Sequence, residues 1–431
     1  MHLIEKHAVA IRWLTIGLGL CFAVMYANQQ ILTGDQTQML EKGYLGAYHQ
    51  TWAAFGNAAS AVGNVPGSLS AFVIGGPLLI WDSPWAPMLF LILLRLCSFL
   101  LLDAVIQKIF SPPVRMLFAI IYWLNPWLLY DSLLYNPSYL CFFAALHLWS
   151  AFKLREHASF IYSFLHILAI GGAMQFHYSW PILAVISCYL LYRRMARPSW
   201  SGVAVASVVI LASLIPYCLE YINNDSLSRE SDRYFGYGAV HVYPVLKAIF
   251  YWLRYGSTLF SNRLITDVSF DWITSISWLK MIFQYCWQAL LFIIGTITVV
   301  LSVNVNMRAW KTIKPAIKRG SPIADNKQWM LLYAGAAVLA IVINAMLSPI
   351  TFSYWHLILT FPFALFPLLV AAEAWQEELP NRFIKGMGVI TVFFIAVNLV
   401  AAHDSDKYSY KVDYVEQVTH YLNEKGLQRE Q

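Results

Sequence analysis

Charged residues are scarce in this 431-residue chain: Asp, Glu, Lys and Arg make up 12% of it, about half the roughly 25% that a soluble globular domain carries. No polar block is long enough to form a soluble domain. The chain also lacks an internal repeat, a coiled-coil heptad pattern, a nucleotide-binding glycine loop and any low-complexity tract. Its six cysteines (Cys21, Cys97, Cys141, Cys188, Cys218, Cys286) fall inside or at the ends of apolar segments, with no CxxC pair and no histidine spaced to complete a zinc site. They read as small core residues. The net charge of +6 comes from 29 Lys and Arg scattered in short clusters between apolar runs, the distribution of membrane-protein loops, so a nucleic-acid partner is not expected.

What is present is hydrophobic surface: 59% apolar and 16% aromatic residues. A membrane crossing needs about 17 to 25 mainly apolar residues, and Pro and charge clusters mark the ends. Spans are expected near 10–28, 86–107, 115–131, 137–152, 158–176, 178–193, 200–220, 282–304, 328–347, 355–374 and 385–402. The fold class is therefore all-α, a polytopic membrane helix bundle of about eleven spans. The apolar run 65–81 is broken by Pro66, Gly67, Gly75, Gly76 and Pro77, so it reads as a helix at the interface and not as a crossing. Charge supports that choice. With the N-terminus cytoplasmic, eleven crossings gather Arg12, Lys108, Arg115, Lys153, Arg155, the Arg193–Arg197 cluster, the Arg308–Lys327 cluster, Arg382 and Lys385 inside, whereas a twelfth crossing moves every later cluster outside. The first span is retained, because Met25-Tyr26-Ala27 makes a poor signal-peptidase site. The expected organisation is a transmembrane domain over 1–402, with outer loops at 29–85 and 221–281, and a short outer tail at 403–431.

The polar residues that lie on the outer side are the candidates for chemistry. Asp35, in Gly34-Asp35-Gln36 just after the first span, reads either as a base that takes a proton from an acceptor hydroxyl or as the N-cap of a following helix. Glu41, six residues on, reads as solvated surface. Asp131 ends the third span and Asn136, in Tyr135-Asn136-Pro137-Ser138, opens the fourth; both also suit turns and helix starts. Gln175-Phe176-His177 joins the fifth and sixth spans, and Tyr354-Trp355-His356 opens the tenth. Either histidine reads as a phosphate or sugar donor or as a packed, hydrogen-bonded side chain. The 221–281 loop collects Arg229, Arg233, Lys247, Arg254, Arg263 and Lys280 among tyrosines and tryptophans. Such a mixture suits an anionic lipid carrying a sugar, since Arg grips phosphate and rings pack on sugars; it equally suits an amphipathic anchor helix around Tyr243 to Phe260. Arg95 lies in mid-span, where a cation needs a partner. Asp103, two turns away, or an acid on another span is expected to supply it.

In order and sidedness these features resemble the GT-C glycosyltransferases that use polyprenyl-phosphate sugars, the superfamily of protein O-mannosyltransferases and aminoarabinose transferases. The resemblance spans most of the chain. It rests on Gly34-Asp35-Gln36 in the first loop, a Pro-rich stretch from Val65-Pro66-Gly67 to Ser83-Pro84, Tyr135-Asn136-Pro137-Ser138, Gln175-Phe176-His177 and Tyr354-Trp355-His356. Two departures bear on the chemistry: many members pair two acids in the first loop, where Asp35 is followed by Gln36, and many have an acid where Asn136 stands. The site is accordingly expected to hold no metal, and no cofactor is expected.

The resemblance implies an inner-membrane enzyme whose site faces the periplasm. It would move a sugar from a polyprenyl-phosphate donor to a lipid, glycan or protein acceptor with inversion. Asp35 would activate the acceptor, the loop arginines with His177, His356 and Tyr354 would hold donor phosphate or sugar, and Asp131, Asn136, Gln175 and Arg95 would be accessory. Two other readings stand beside it. A polysaccharide polymerase shares many spans and an Arg-rich outer loop. A lipid-linked sugar flippase needs a polar path across several spans, whereas Arg95 and Asp103 are almost alone at mid-span.

Overall fold

The computed structural model describes residues 2–59, 63–130, 134–223, 237–260, 263–319, 323, 325–404 and 413–428. The chain is a helical bundle with one small hairpin. Helix α1 (His2–Asn28) crosses the bundle and is followed by α2 (Gly34–His49), the strands β1 (Phe55–Ala58) and β2 (Asn64–Pro66), and α3 (Leu69–Ile80). The strands pair antiparallel, with Phe55 opposite Pro66 and Ala58 opposite Asn64. At 12 residues, α3 is about 18 Å long, too short for a bilayer core of about 30 Å. It packs on α2 instead, and the two backbones approach so closely that a methyl on Gly43 would lie 2.4 Å from Ile74.

Helix α4 (Trp85–Ile106) returns across the bundle, and the next crossing is broken: α5 (Pro112–Phe118) runs through a π-helical turn at Ala119–Trp123 before α6 (Pro126–Tyr130). The break has a local cause. Pro126 cannot donate a main-chain hydrogen bond, and the Asn125 side chain fills the gap, donating to the Ile121 carbonyl at 2.9 Å and accepting from the Trp127 N–H at 3.0 Å. A 3₁₀ turn at Asn136–Tyr139 then leads into α7 (Leu140–Leu154), α8 (Phe160–Met174), α9 (Pro181–Tyr192), α10 (Trp200–Ser213) and α11 (Ile215–Asn223). Beyond these lie α12 (Val242–Tyr255), the 43-residue α13 (Ser277–Arg319), α14 (Asn326–Leu347), the single turn α15 (Tyr354–Leu357), α16 (Phe366–Glu378), α17 (Pro380–Asp404) and α18 (Tyr414–Lys425).

Among the described residues, seven stretches are long and apolar enough to cross a membrane: Val9–Asn28, Trp85–Ile106, Trp200–Asn223, Ser277–Ile317, Asn326–Leu347, Tyr354–Glu378 and Pro380–His403. Each coincides with an expected span. The other four expected spans, 115–131, 137–152, 158–176 and 178–193, are shorter or broken helices, so helix length does not fix the count at eleven. Outward-facing Val208, Leu211, Phe292, Ile293, Val300, Val389 and Val392 are exposed, as lipid-facing residues are. The protein is a multi-pass membrane protein.

Charge sorts the two ends of the bundle. At one end Asp103, only 2% exposed, is clasped by Arg12 from α1 and by Arg115, whose Nε donates to it at 2.8 Å. The same end holds Glu373, which accepts from the Ser111 main chain and hydroxyl and pairs with Lys327 at 3.5 Å. Arg193 donates there to the carbonyls of Ala316 and Ile317, both at 3.0 Å. Arg95 does not take Asp103 as its partner, as the sequence suggested: residues eight apart on a helix lie about two turns distant, and the carboxylate is already engaged by two arginines. Arg95 donates instead to the Leu128 carbonyl on α6.

The opposite end carries Asp35 and the C-terminal helix. Gln417 of α18 donates to the Gln30 carbonyl at 3.1 Å, Tyr421 donates to Glu41 at 3.2 Å, and Tyr414 packs edge-on against Trp85, 5.7 Å between ring centres. Because α18 is seated on the loop that follows α1, topology reporters placed after Arg194 and at the C-terminus are expected on opposite sides of the membrane, with a reporter after Lys314 on the Arg194 side. A C-terminal reporter on the Arg194 side contradicts this architecture.

Candidate functional site

The first turn of α2 places Asp35. Thr33 is the N-cap, and Gln36 reaches back to accept from the Thr33 N–H at 3.1 Å, the reciprocal arrangement of a capping box. The cap role is thus filled, and the Asp35 carboxylate is left one residue into the helix, at its electropositive end. It is half-buried and makes no hydrogen bond or ion pair among the described residues. Burial raises its pKa above the ordinary carboxylate value, because a partly dry site disfavours the charged form.

Two other residues of the first loop tie α2 to its surroundings. Lys42 lies seven residues further along α2, on the same helix face, and donates to the Gly56 carbonyl while its ammonium sits 5.0 Å above the Phe55 ring. Burial pushes its pKa down to about 8, against a smaller opposing effect of Glu41. Asn57 of β1 donates to the Asp35 carbonyl at 2.7 Å and to the Asn136 side-chain oxygen at 2.8 Å. The hairpin therefore ties α2 to the 3₁₀ turn. Neither Lys42 nor Asn57 was singled out from the sequence; the seven-residue spacing of Asp35 and Lys42 was the one available signal, and Asn57 had none.

From Asn136 the site runs on through a series of contacts. Tyr139, in the same turn, stacks on Phe176 at 4.7 Å. Phe176 lies in the Gln175–His177 segment between α8 and α9, and that segment is pinned to the hairpin: Tyr178 donates to the Asn64 carbonyl at 2.7 Å. Gln175 packs on Gly67, where a methyl would meet its side-chain oxygen at 2.3 Å, and donates to Ser213 at 2.9 Å. Gly67 has a φ of 84°, so both its backbone and the closeness of Gln175 require glycine.

His177 and His356, separated by 179 positions in the sequence, lie 5.4 Å apart between ring centres. Each ring is held by a main-chain donor: the Ser179 N–H reaches His177 Nδ1 at 3.1 Å, and the Ser353 N–H reaches His356 Nδ1 at 2.8 Å. A nitrogen that accepts such a bond carries no proton, so the neutral rings keep theirs on Nε2. Two uncharged N–H donors result. Burial, helped by His356, lowers the His177 pKa to about 3.

The far side of the site is an aromatic wall under a cation. Arg254 of α12 lies over Trp127, Phe250 and Tyr251, at 5.6, 5.4 and 5.4 Å from their centres, and its Nε donates to the Leu259 carbonyl at 3.1 Å. Trp127 also packs on Tyr354 at 5.3 Å, and the Tyr354 carbonyl accepts from Tyr255. Lys247, one face-repeat before Arg254, acts electrostatically on His356. Opposite this buried face, α12 exposes Val242, Tyr243 and Leu246. It is at once an amphipathic helix and the carrier of two cations. Arg95 reaches this wall only indirectly: the carbonyl it holds belongs to Leu128, the residue after Trp127. Asp131, Arg229 and Arg233 lie outside the described residues, as does the side chain of Arg263. No group of three or more His, Cys, Asp and Glu gathers as a metal site among the described residues.

Two crystal structures of ArnT from Cupriavidus metallidurans superpose on this chain with a TM-score of 0.53 and 12% sequence identity. The apo structure covers 90% of this chain and 63% of its own, and the one bound to undecaprenyl phosphate covers 97% and 75%. The fold is that of ArnT. The chain thus spans less than two thirds of the apo ArnT chain it matches. No family profile matches the sequence, and no curated protein matches it.

The buried His177 makes a prediction about stability. An unfolded chain protonates this histidine near pH 6.5, whereas the folded ring resists until about 3, so acid favours unfolding progressively as pH falls from 7. Between pH 7 and pH 5 that difference amounts to about 2 kcal/mol. Thermal unfolding in detergent is expected to show His177→Asn losing less stability than wild type over this interval; identical losses contradict the neutral, buried assignment.

Proposed function

We propose that the protein is a membrane glycosyltransferase of GT-C type that moves a sugar from a polyprenyl-phosphate donor to an acceptor hydroxyl in the cell envelope. The observation that carries this reading is a half-buried Asp35 carboxylate, without a cation or hydrogen-bond donor among the described residues, at the histidine-lined end of an ArnT fold. A related fold that holds undecaprenyl phosphate supports the lipid half of the donor.

In this mechanism Asp35 accepts the acceptor's hydroxyl proton as the hydroxyl oxygen attacks the anomeric carbon. The bond from that carbon to the donor phosphate breaks, and the polyprenyl phosphate leaves with the electron pair. A single displacement of this kind inverts the anomeric centre. Charge on the departing phosphate is met by the guanidinium of Arg254, with Lys247 nearby, and by the Nε2–H groups of His177 and His356. The aromatic wall of Trp127 and Tyr354 offers ring faces to the sugar or to the first isoprene units. The exposed apolar face of α12 keeps these groups at the membrane surface where a lipid phosphate lies. In a bacterial cell the site would face the periplasm across the inner membrane, the side opposite the lysine- and arginine-rich end of the bundle.

Membranes carrying the protein, supplied with a polyprenyl-phosphate sugar and an envelope acceptor fraction, test the reading. Asp35→Asn keeps the shape and cannot take the proton; kcat is expected to fall about 10²-fold or more with little change in donor KM. The wild-type rate should drop as pH falls through a pKa above the usual carboxylate range, because the base works only when ionised. Turnover by Asp35→Asn at the wild-type rate contradicts the assignment. Arg254→Ala should raise the donor KM roughly tenfold, the weight of a charged hydrogen bond of about 1.5 to 3 kcal/mol; an unchanged KM places the phosphate elsewhere.

A further inference from the structure

Asn57 has no part in the chemistry above, yet its surroundings are unusually determined. It is 1% exposed and sits on a two-stranded hairpin that by itself would be marginal in water. Its amide nitrogen has two hydrogens and uses both, one on the Asp35 carbonyl and one on the Asn136 side-chain oxygen. A main-chain carbonyl can only accept, so the first contact fixes which way the Asn57 amide is turned. The second contact then fixes Asn136: its oxygen faces Asn57, and its NH₂ is left without a partner among the described residues. The Asn57 oxygen is itself buried with no partner, so nothing on that side competes for the nitrogen.

We propose that Asn57 is the positioning residue of this site: it clamps the first turn of α2 to the Asn136 turn and turns the Asn136 amide so that an N–H donor faces the acceptor beside Asp35. The proposal rests on the glycosyltransferase reading and sharpens it. An uncharged donor next to a carboxylate base suits a neutral hydroxyl, whose oxygen takes the Asn136 N–H while its proton points to Asp35. An acceptor phosphate or carboxylate at that place would instead meet the Asp35 charge and be repelled.

Asn57→Asp tests this with the shape preserved. A carboxylate can only accept, so the Asp35 carbonyl loses its donor, and Asn136 must turn over to donate to the new carboxylate, presenting its oxygen to the acceptor. Misplacement on this scale costs about 10²-fold. The expected result is a kcat lower by about that factor with donor KM near wild type, and an acid limb moved to higher pH because a second carboxylate close by penalises ionisation of Asp35. Asn57→Ala should lower kcat without moving the acid limb, a contrast that loss of stability alone would not produce. Should Asn57→Asp not fold, Asn57→Ala and hydrogen exchange in residues 33–40 decide: exchange at least tenfold faster supports the clamp, and wild-type exchange with wild-type kcat overturns it. Wild-type kcat and acid limb in both variants overturn the proposal as well. If Asp35→Asn is inactive while the Asn57 variants are normal, only the positioning role fails; if Asp35→Asn is active, the transferase reading fails.

Discussion

Hydrocarbon offers no hydrogen bonds, and that constraint organises the whole molecule: every polar group carried into the bilayer must find a partner inside the protein or lie at an end of the bundle. Several interior groups obey it. Tyr26 bonds to Asn398 at 3.1 Å, and Asn398 bonds to the Leu124 carbonyl at 2.8 Å, joining three crossings. His147 is held between Tyr333 at 2.6 Å and Ser187 at 2.8 Å, and His166 shares the same serine at 2.9 Å. Arg95 is held by a carbonyl, and Asp103 by two arginines. Against this background Asp35 stands out as a carboxylate in a partly dry place with no partner among the described residues, where other partnerless groups, such as the Asn57 oxygen and the Tyr139 hydroxyl, are uncharged.

The Asp35 end is built to tolerate such a group. Helices α2 and α3 meet almost backbone to backbone at Gly43 and Gly75, with the Trp52 ring packed on Gly46 and Gly75, so the platform under the acid has little room to move. The hairpin is bound on both strands, β1 through Asn57 and β2 through Tyr178, and α18 closes over the loop between α1 and α2. Rigid support of this kind is what a base needs if it is to meet a hydroxyl in one geometry. On the other flank the cations ride on α12, whose outer face is apolar. Under the proposed function, a lipid phosphate would approach from the membrane surface while the acid stays fixed.

How much of this could be read from the sequence follows from which interactions are local. The long spans were legible, because an apolar run of 20 residues has few other uses, and within 65–81 the helix is short, as the prolines and glycines that break that run require. Asp35, Asn136, Gln175, His177 and His356 were each visible as polar residues at segment ends on one side, although only the fold brings two histidines 179 positions apart into contact. Of the two kinds of partner considered for Arg95, Asp103 is excluded by tertiary structure, since Arg12 and Arg115, which hold it, come from other crossings. The third crossing was read as one continuous span, 115–131, and its break at Asn125-Pro126, which brings Trp127 under Arg254, appears only in the structure. Asn57 was invisible: a lone amide in a polar loop carries no periodicity, and its importance lies in two bonds across 22 and 79 residues.

This end of the bundle is proposed to transfer a sugar from a lipid phosphate. Mass spectrometry of the envelope glycans and polyprenyl-phosphate lipids from cells with and without the protein tests it most directly. One sugar decoration is expected to disappear from the envelope when the protein is absent, while its polyprenyl-phosphate-linked form accumulates. Unchanged envelope glycans together with an unchanged pool of lipid-linked sugars would contradict it.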